Sequence, residues 1–141
     1  MKVPEGTQIR PGSAHNVPYE AGPAAIQALV PLCTEIDQYS DRFELRVVAA
    51  DKIWMSPSYG HLEFAIDIIW NLDMNPLKTI IKIEAALAQF NCTSHWGKLF
   101  AMGPAKYKKL YENWEKFKTA VKQLDPTGKF VNAFSKEKLE L

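Results

Sequence analysis

The residues best suited to chemistry lie close together at positions 94–98, which read SHWGK. His95 brings an imidazole, Trp96 an indole and Lys98 an ammonium group, and the glycine between them permits close backbone approach. Such a set suits a site that handles a polarised, planar partner, with the ammonium group stabilising an anion. A core tryptophan, a hydrogen-bonded loop histidine and a solvated lysine would explain the same residues. Composition alone leaves both interpretations open.

A second candidate is the charged pair Glu44 and Arg46, which flank Leu45. Side chains alternate across a strand, so both charges would share one face. The functional interpretation is a substrate clamp, in which Arg46 binds a hydroxyl or developing alkoxide and Glu44 orients it. A surface ion pair, which contributes little to stability, would explain the pattern equally well.

Several other kinds of site have no support in the sequence. His15 and His61 are isolated, and neither they nor the two cysteines show the spacing of a zinc or iron site. The sequence has no Gly-x-Ser-x-Gly motif, no phosphate-binding glycine loop and no dinucleotide fingerprint. We therefore expect no metal and no self-sufficient hydrolase, kinase or dehydrogenase.

The composition is that of an ordinary globular protein. The 141 residues, 47% of them hydrophobic, suffice for one domain with a single core. A net charge of +1 gives no electrostatic basis for binding nucleic acid. No apolar run approaches the length of a membrane span, and the first residues do not resemble a secretion signal. We therefore expect a soluble, reduced, cytoplasmic protein.

The elements that must position the candidate residues alternate between strands and helices. In order, we expect a strand near 15–20, a helix from Gly22 that Pro31 kinks or shortens, strands over 43–49 and 62–70, a helix from Asn75, an extended segment or loop over 92–100, a helix from Gly103 to Leu124 and an extended tail over 129–134. This order predicts an α+β fold, with an antiparallel sheet packed by helices around a ferredoxin-like core.

Pairing of the two longer predicted strands would gather charged residues on one side of the sheet. Alternation puts Glu44 and Arg46 on one face of the first strand, and Asp67 and Ile69 on one face of the second. If the strands pair, these four side chains line a common sheet face.

Four short segments, in a fixed order, carry a resemblance to a known family. They are ELRVVAAD at 44–51, WMSPSY at 54–59, HWGK at 95–98 and LDPTGKFVN at 124–132. Together they resemble the C-terminal half of the alditol oxidase and aldonolactone oxidase family, which includes xylitol, sorbitol, arabinonolactone and gulonolactone oxidases. The resemblance extends over roughly residues 15–135.

The resemblance implies the fold of a vanillyl-alcohol-oxidase-type flavoenzyme. In such enzymes an N-terminal domain holds FAD, often covalently, and a C-terminal cap domain shapes the substrate site. Residues 1–141 would then form a single cap domain, and the FAD-binding domain would be absent. The implied reaction is hydride transfer from a carbinol carbon to the flavin, followed by oxidation of the reduced flavin by O₂ to give H₂O₂. The cap alone is expected to be inactive.

The resemblance also implies roles for individual residues. Glu44, Arg46 and Lys98 match residues that hold the polyol or lactone substrate beside the flavin. Arg46 and Lys98 would be the catalytic pair, because they would stabilise the alcohol oxygen as it loses its proton. His95 matches a residue that touches FAD.

Two positions depart from the family pattern. Asp67 and Ile69 stand where alditol oxidases usually carry His and Thr, just before the tryptophan that Trp70 resembles. Ile69 occupies a substrate-binding position but has no hydroxyl group, so a hydrogen bond to the substrate is lost there. Asp67 adds a negative charge. We expect both changes to alter substrate choice.

Two functional hypotheses follow. The first is the substrate-binding part of an FAD-dependent oxidase, with a polyol or aldonolactone as substrate and a separate FAD-binding domain or chain as partner. The second is a non-catalytic interaction module that retains the cap fold, which wide separation of Arg46 and Lys98 would favour. Independent small-molecule binding has no motif behind it, since a fold alone does not imply a function.

Overall fold

The computed structural model describes residues 10–72 and 75–141, so residues 1–9 and 73–74 of the predicted domain 1–141 lie outside the described part. The elements in chain order are β1 (Gly12–Pro18), α1 (Gly22–Leu29), α2 (Cys33–Tyr39), β2 (Ser40–Val48), β3 (Glu63–Trp70), α3 (Leu77–Leu87), β4 (Thr93–Ser94), α4 (Pro104–Leu110), α5 (Trp114–Leu124) and α6 (Ala133–Leu139). In this part of the chain, no helix is both long enough and apolar enough to cross a membrane.

The four strands form one antiparallel sheet in the order β2-β3-β1-β4. The connectivity from β1 to β4 is strand-helix-strand-strand-helix-strand, which with this strand order is the ferredoxin-like arrangement. The α+β prediction is therefore confirmed. β1 and β3 are the central strands, and β2 is an edge strand.

The main core lies between one face of the sheet and helices α1 and α3. Ile66, Ile68 and Trp70 alternate along β3 and are fully buried on this face. Ile80, Ile83 and Leu87 recur at helical spacing on α3 and pack in the same cluster. Burying each large aliphatic side chain contributes about 1.5–3 kcal/mol.

A second cluster joins the last helices to the segment after β4. Its buried members are Met102, Tyr107, Tyr111 and Trp114. The Trp96 ring packs on Tyr107, with 4.5 Å between ring centroids. Trp96 is therefore a packing anchor, as the structural interpretation of the sequence predicted.

Two helices near the C-terminus differ from the sequence prediction. The helix expected from Gly103 to Leu124 is interrupted, because Tyr111 adopts an extended backbone conformation. Apolar spacing continues through the break, so periodicity gives no sign of it. The tail expected to be extended over 129–134 instead runs into α6, which begins with a capping box between Asn132 and Ser135.

The boundary at Pro31 was predicted correctly. Residues Val30–Leu32 form a 3-10 turn that separates α1 from α2. Proline lacks the backbone N–H that a helix interior needs, so the first helix ends there and a second begins.

Candidate functional site

An ion cluster of Arg46, Asp67 and Lys98 lies on the sheet face opposite α1 and α3. Arg46 donates to Asp67 Oδ2 through Nε, at 3.0 Å, and also through Nη2. Lys98 Nζ donates to Asp67 Oδ1. Each carboxylate oxygen is therefore bound by one cation.

The pairing of β2 with β3 positions two members of this cluster. Glu44 lies directly opposite Asp67 in the antiparallel register, and Arg46 lies opposite Ala65. Arg46 is therefore a diagonal neighbour of Asp67, within reach of a long side chain. The predicted strand pairing and the common face for Glu44, Arg46, Asp67 and Ile69 are confirmed.

Lys98 reaches the same carboxylate because the segment after β4 docks on β1. His95 N donates to Ala14 O at 3.2 Å, and Leu99 N donates to Gly12 O at 2.8 Å. The start of β1 lies beside both side chains, since a Cβ on Gly12 would make ordinary contacts with Ile69 Cδ1 at 3.4 Å and Lys98 Cδ at 3.9 Å.

The electrostatics of the cluster depend on its uneven burial. The Asp67 side chain is 1% exposed, whereas those of Lys98 and Arg46 are 25% and 55% exposed. Burial favours the neutral acid, but hydrogen bonds and charges from Lys98 and Arg46 outweigh it and hold the pKa of Asp67 below its usual range. The three groups together carry one net positive charge, and the cations form its exposed side.

Glu44 does not bind Arg46. Its carboxylate pairs with Arg42, with 2.9 Å between Arg42 Nε and Glu44 Oε1. Asp67 therefore holds Arg46 in place. The interpretation of Lys98 as a merely solvated charge is wrong, because its ammonium group is paired with a buried carboxylate.

Comparison with known proteins identifies the family. A sequence model of the D-arabinono-1,4-lactone oxidase family matches residues 13–138. The chain belongs to this family. It is 34% identical over 98 residues to an alditol oxidase from Streptomyces sp. (strain IKD472 / FERM P-14339), which covers 69% of this chain and 24% of the relative. It is 27% identical over 95 residues to L-gulonolactone oxidase from Mus musculus, covering 64% of this chain and 22% of the relative. The chain thus spans about a quarter of the length of these curated relatives.

The D-arabinono-1,4-lactone oxidase family consists of FAD-linked flavoenzymes. By resemblance, His95 matches a residue that touches FAD. Its side chain is exposed, and it precedes Lys98 of the ion cluster by three residues. Its Nδ1 accepts a hydrogen bond from Gly97 N at 3.0 Å. A neutral imidazole held in this way carries its proton on Nε2, which leaves that nitrogen as a donor. The structure does not bring His95 into the ion cluster itself.

The sequence alone assigned Asp67 no role in the site and marked it only as a departure from the family pattern. The available signal was an acid in the middle of an apolar strand, on the face predicted to carry Arg46. A buried carboxylate needs a charged or hydrogen-bonding partner, and Arg46 was within reach. Among the residues that the structure describes, no group of His, Cys, Asp and Glu side chains is arranged to hold a metal ion.

Proposed function

We propose that this chain is the substrate-binding part of an FAD-dependent oxidase that acts on the CH–OH group of alditols or aldono-1,4-lactones, with O₂ as acceptor. The observation that carries the proposal is the convergence of Arg46 and Lys98 on one buried carboxylate, in a chain of this family. Fixed cations on an exposed face suit a substrate oxygen that becomes negative during the reaction.

Each member of the site has a proposed role. Arg46 keeps further N–H donors free after binding Asp67, and with Lys98 it would stabilise the alcohol oxygen as its proton leaves. Glu44 would accept a hydrogen bond from another substrate hydroxyl. Ile69 would form an apolar wall beside the Lys98 stem.

The described residues fit a contact with FAD better than a complete binding site for it. His95 offers one exposed donor, Nε2–H, which suits an oxygen or nitrogen acceptor of the cofactor. No glycine-rich phosphate loop occurs in the sequence. We therefore propose that FAD is held mainly by residues outside this chain. When bound, it supplies the hydride acceptor that amino-acid side chains lack.

A chimaera tests this function directly. The chain would replace the matching segment of the Streptomyces alditol oxidase, and H₂O₂ release would be measured with alditols and aldonolactones. We expect activity that Lys98→Met and Arg46→Ala each lower by about 10²-fold or more in kcat/KM, as for loss of an oxyanion donor. Lys108→Met and Arg10→Ala remove exposed ion-paired cations and serve as matched controls. Equal losses in controls and site variants, or activity unaffected by the site variants, would contradict the proposal.

One observation favours the second hypothesis, a non-catalytic interaction module. Asp67 already binds both cations, and this weakens their hold on a substrate oxygen. The proximity of Arg46 and Lys98 favours the oxidase. An inactive chimaera that gains H₂O₂ release with Asp67→His would assign the loss of catalysis to this carboxylate.

A further inference from the structure

The segment that brings an ammonium group to the ion cluster is held at both ends by one buried carboxylate. It comprises residues 94–102, which we call the site segment. Glu84 of α3 is 6% exposed, and its Oε1 accepts a hydrogen bond from Ala101 N at 2.9 Å. Ser94 Oγ donates to the same oxygen at the long distance of 3.5 Å, and the amide of Met102 also bonds to the carboxylate. Every hydrogen bond between this carboxylate and the described residues therefore comes from the site segment.

The carboxylate and the two amides depend on each other. A carboxylate has acceptors only, and burial favours its neutral form, so it needs donors around it. Burial raises the pKa of Glu84, while the bonds from Ala101 and Met102 and the charge of Lys106 favour the ionised form. The two amides have no backbone partner among the described residues. Loss of the carboxylate would leave them unpaired, which is costly in a buried place, so we expect the chain to move.

Glu84 acts on the ion cluster from a distance. α3 packs on one face of the sheet, and the cluster lies on the other. Lys98 lies four residues after Ser94 and three before Ala101, so it sits between the two ends that Glu84 holds. Two amides between these ends bond to β1, but β4 itself is only two residues long. The sheet therefore fixes the middle of the site segment, and Glu84 fixes its ends.

We propose that Glu84 is a positioning residue of the candidate site. By holding both ends of the site segment, it sets the Lys98 ammonium group at the Asp67 carboxylate. The effect on catalysis rests on the proposed oxidase function, whereas the effect on the ion pair rests on these hydrogen bonds alone. Glu84 would touch neither substrate nor cofactor.

The test measures the Lys98–Asp67 ion pair in the chain itself. ¹H–¹⁵N NMR at pH 6 gives the rate at which the Lys98 ammonium protons exchange with water, and Lys98→Met identifies their signal. Glu84→Met keeps the length of the side chain but removes both oxygens. We expect it to speed this exchange by about fivefold or more, because the ammonium group loses its fixed partner. Glu84→Gln keeps one oxygen at the same reach and should have a smaller effect.

A control on the same helix separates positioning from general loosening. Thr79 is 2% exposed, and its Oγ1 donates to Glu35 Oε1 at 2.8 Å, away from the site segment. Thr79→Val should leave the Lys98 exchange unchanged. In an Asp67→Asn background, where the ion pair is already broken, Glu84→Met should add less than about twofold.

Three results would overturn the proposal. They are unchanged Lys98 exchange in folded Glu84→Met, an equal effect of Thr79→Val, and an equal effect of Glu84→Gln, which would assign the change to the charge of Glu84. If Glu84→Met does not fold, Glu84→Asp replaces it with the same expectation, because it keeps the charge but shortens the reach by one methylene.

The chimaera separates this inference from the proposed function. Glu84→Met should lower its kcat more than it changes KM, because the ammonium group acts on the oxygen that becomes negative during the reaction. Faster Lys98 exchange in the chain, together with an inactive chimaera, would contradict the oxidase function alone. Unchanged Lys98 exchange would contradict the positioning role whatever the activity of the chimaera.

Discussion

Asp67 determines how the two candidate catalytic cations are presented. Without it, Arg46 and Lys98 would be two separate flexible side chains near a sheet face. With it, both are held at one carboxylate, and their mutual repulsion is offset. The same contacts lower the positive potential that a substrate oxygen would meet. Asp67 is thus a positioning residue that makes the site more ordered and less strongly charged.

Replacement of Asp67 by Asn should destabilise the fold. Both cations lose their ion pair, but each can turn towards water, so we expect a loss of about 1–3 kcal/mol at pH 7 rather than the larger cost of a fully buried pair. The pKa of Asp67 lies below the ordinary value of 3.8, so the pair contributes fully above that pH and is lost as the pH falls through the lowered pKa. Urea denaturation at pH 7 and pH 3 would measure both effects.

The matched control for Asp67→Asn is Asp41→Asn, which breaks an exposed ion pair between Asp41 and Arg10. It should change the free energy of unfolding by less than about 0.5 kcal/mol. An equal effect of the two substitutions, or no decrease of the Asp67 effect at low pH, would contradict the structural role assigned to Asp67.

Replacement of Glu63 by Gln should stabilise the protein at alkaline pH. The pKa of Glu63 is raised from 4.5 to about 7, so between these values the folded state keeps a proton that the unfolded state releases. Wild-type stability therefore falls as the pH rises through this window, and a glutamine avoids that loss. We expect a gain of about 1–3 kcal/mol at pH 8 that disappears below pH 4.5, measured by urea denaturation. A gain that is the same at every pH would show that titration of Glu63 is not its cause.

At the scale of elements, β2 differs from the other long strands. It has a neighbour on one side only, and its apolar residues Phe43, Leu45 and Val47 remain about half exposed. Alternation predicted their common face correctly. The sequence could not show that α1 and α3 cover β1 and β3 but leave this strand uncovered, because coverage depends on where the helices pack.

The difference in burial between the edge strand β2 and the central strand β3 can be tested directly. Leu45 and Ile66 are cross-strand partners on the same sheet face, but Leu45 is 49% exposed and Ile66 is fully buried. Ile66→Ala should cost about 3–4 kcal/mol through lost burial and a new cavity. Leu45→Ala should cost less than about 1 kcal/mol. Thermal or urea denaturation of both variants would measure the difference, and similar costs would contradict the exposure of β2.

Element prediction succeeded where the local pattern was strong. The alternating strand β3 and the apolar stripe of α3 lie where the sequence placed them. It failed at the interruption near Tyr111 and at α6. The break is decided by packing against distant residues, whereas α6 has a local signal in the cap between Asn132 and Ser135.

At the scale of the whole molecule, two packed clusters are joined by the segment that follows β4. Trp96 and Phe100 pack in the second cluster, where Trp96 Nε1 donates to Met55 O at 3.0 Å. Ala101 packs against the main core, where its N donates to the buried Glu84 carboxylate of α3 at 2.9 Å. The candidate site depends on this connection, because Lys98 lies in the segment between the clusters.

Amide exchange should show the unequal stability of these parts. We expect the slowest hydrogen exchange in β1 and β3, which are paired on both sides, and in α3, which packs against them. α6 contains no fully buried residue and should exchange fastest among the helices. Hydrogen–deuterium exchange with mass spectrometry would test this, and equal protection of α6 and β3 would contradict it.

The sequence by itself determined the family, the alternation of strands and helices, and the shared strand face of Glu44 and Arg46. These follow from local patterns, because the side chains of a strand repeat every two residues whatever the strand packs against. Only the tertiary structure decided that Lys98 meets Asp67. That contact requires β4 and the turn after it to dock on β1, and β1 to lie next to β3. Such pairings join residues far apart in the chain, so no local pattern encodes them.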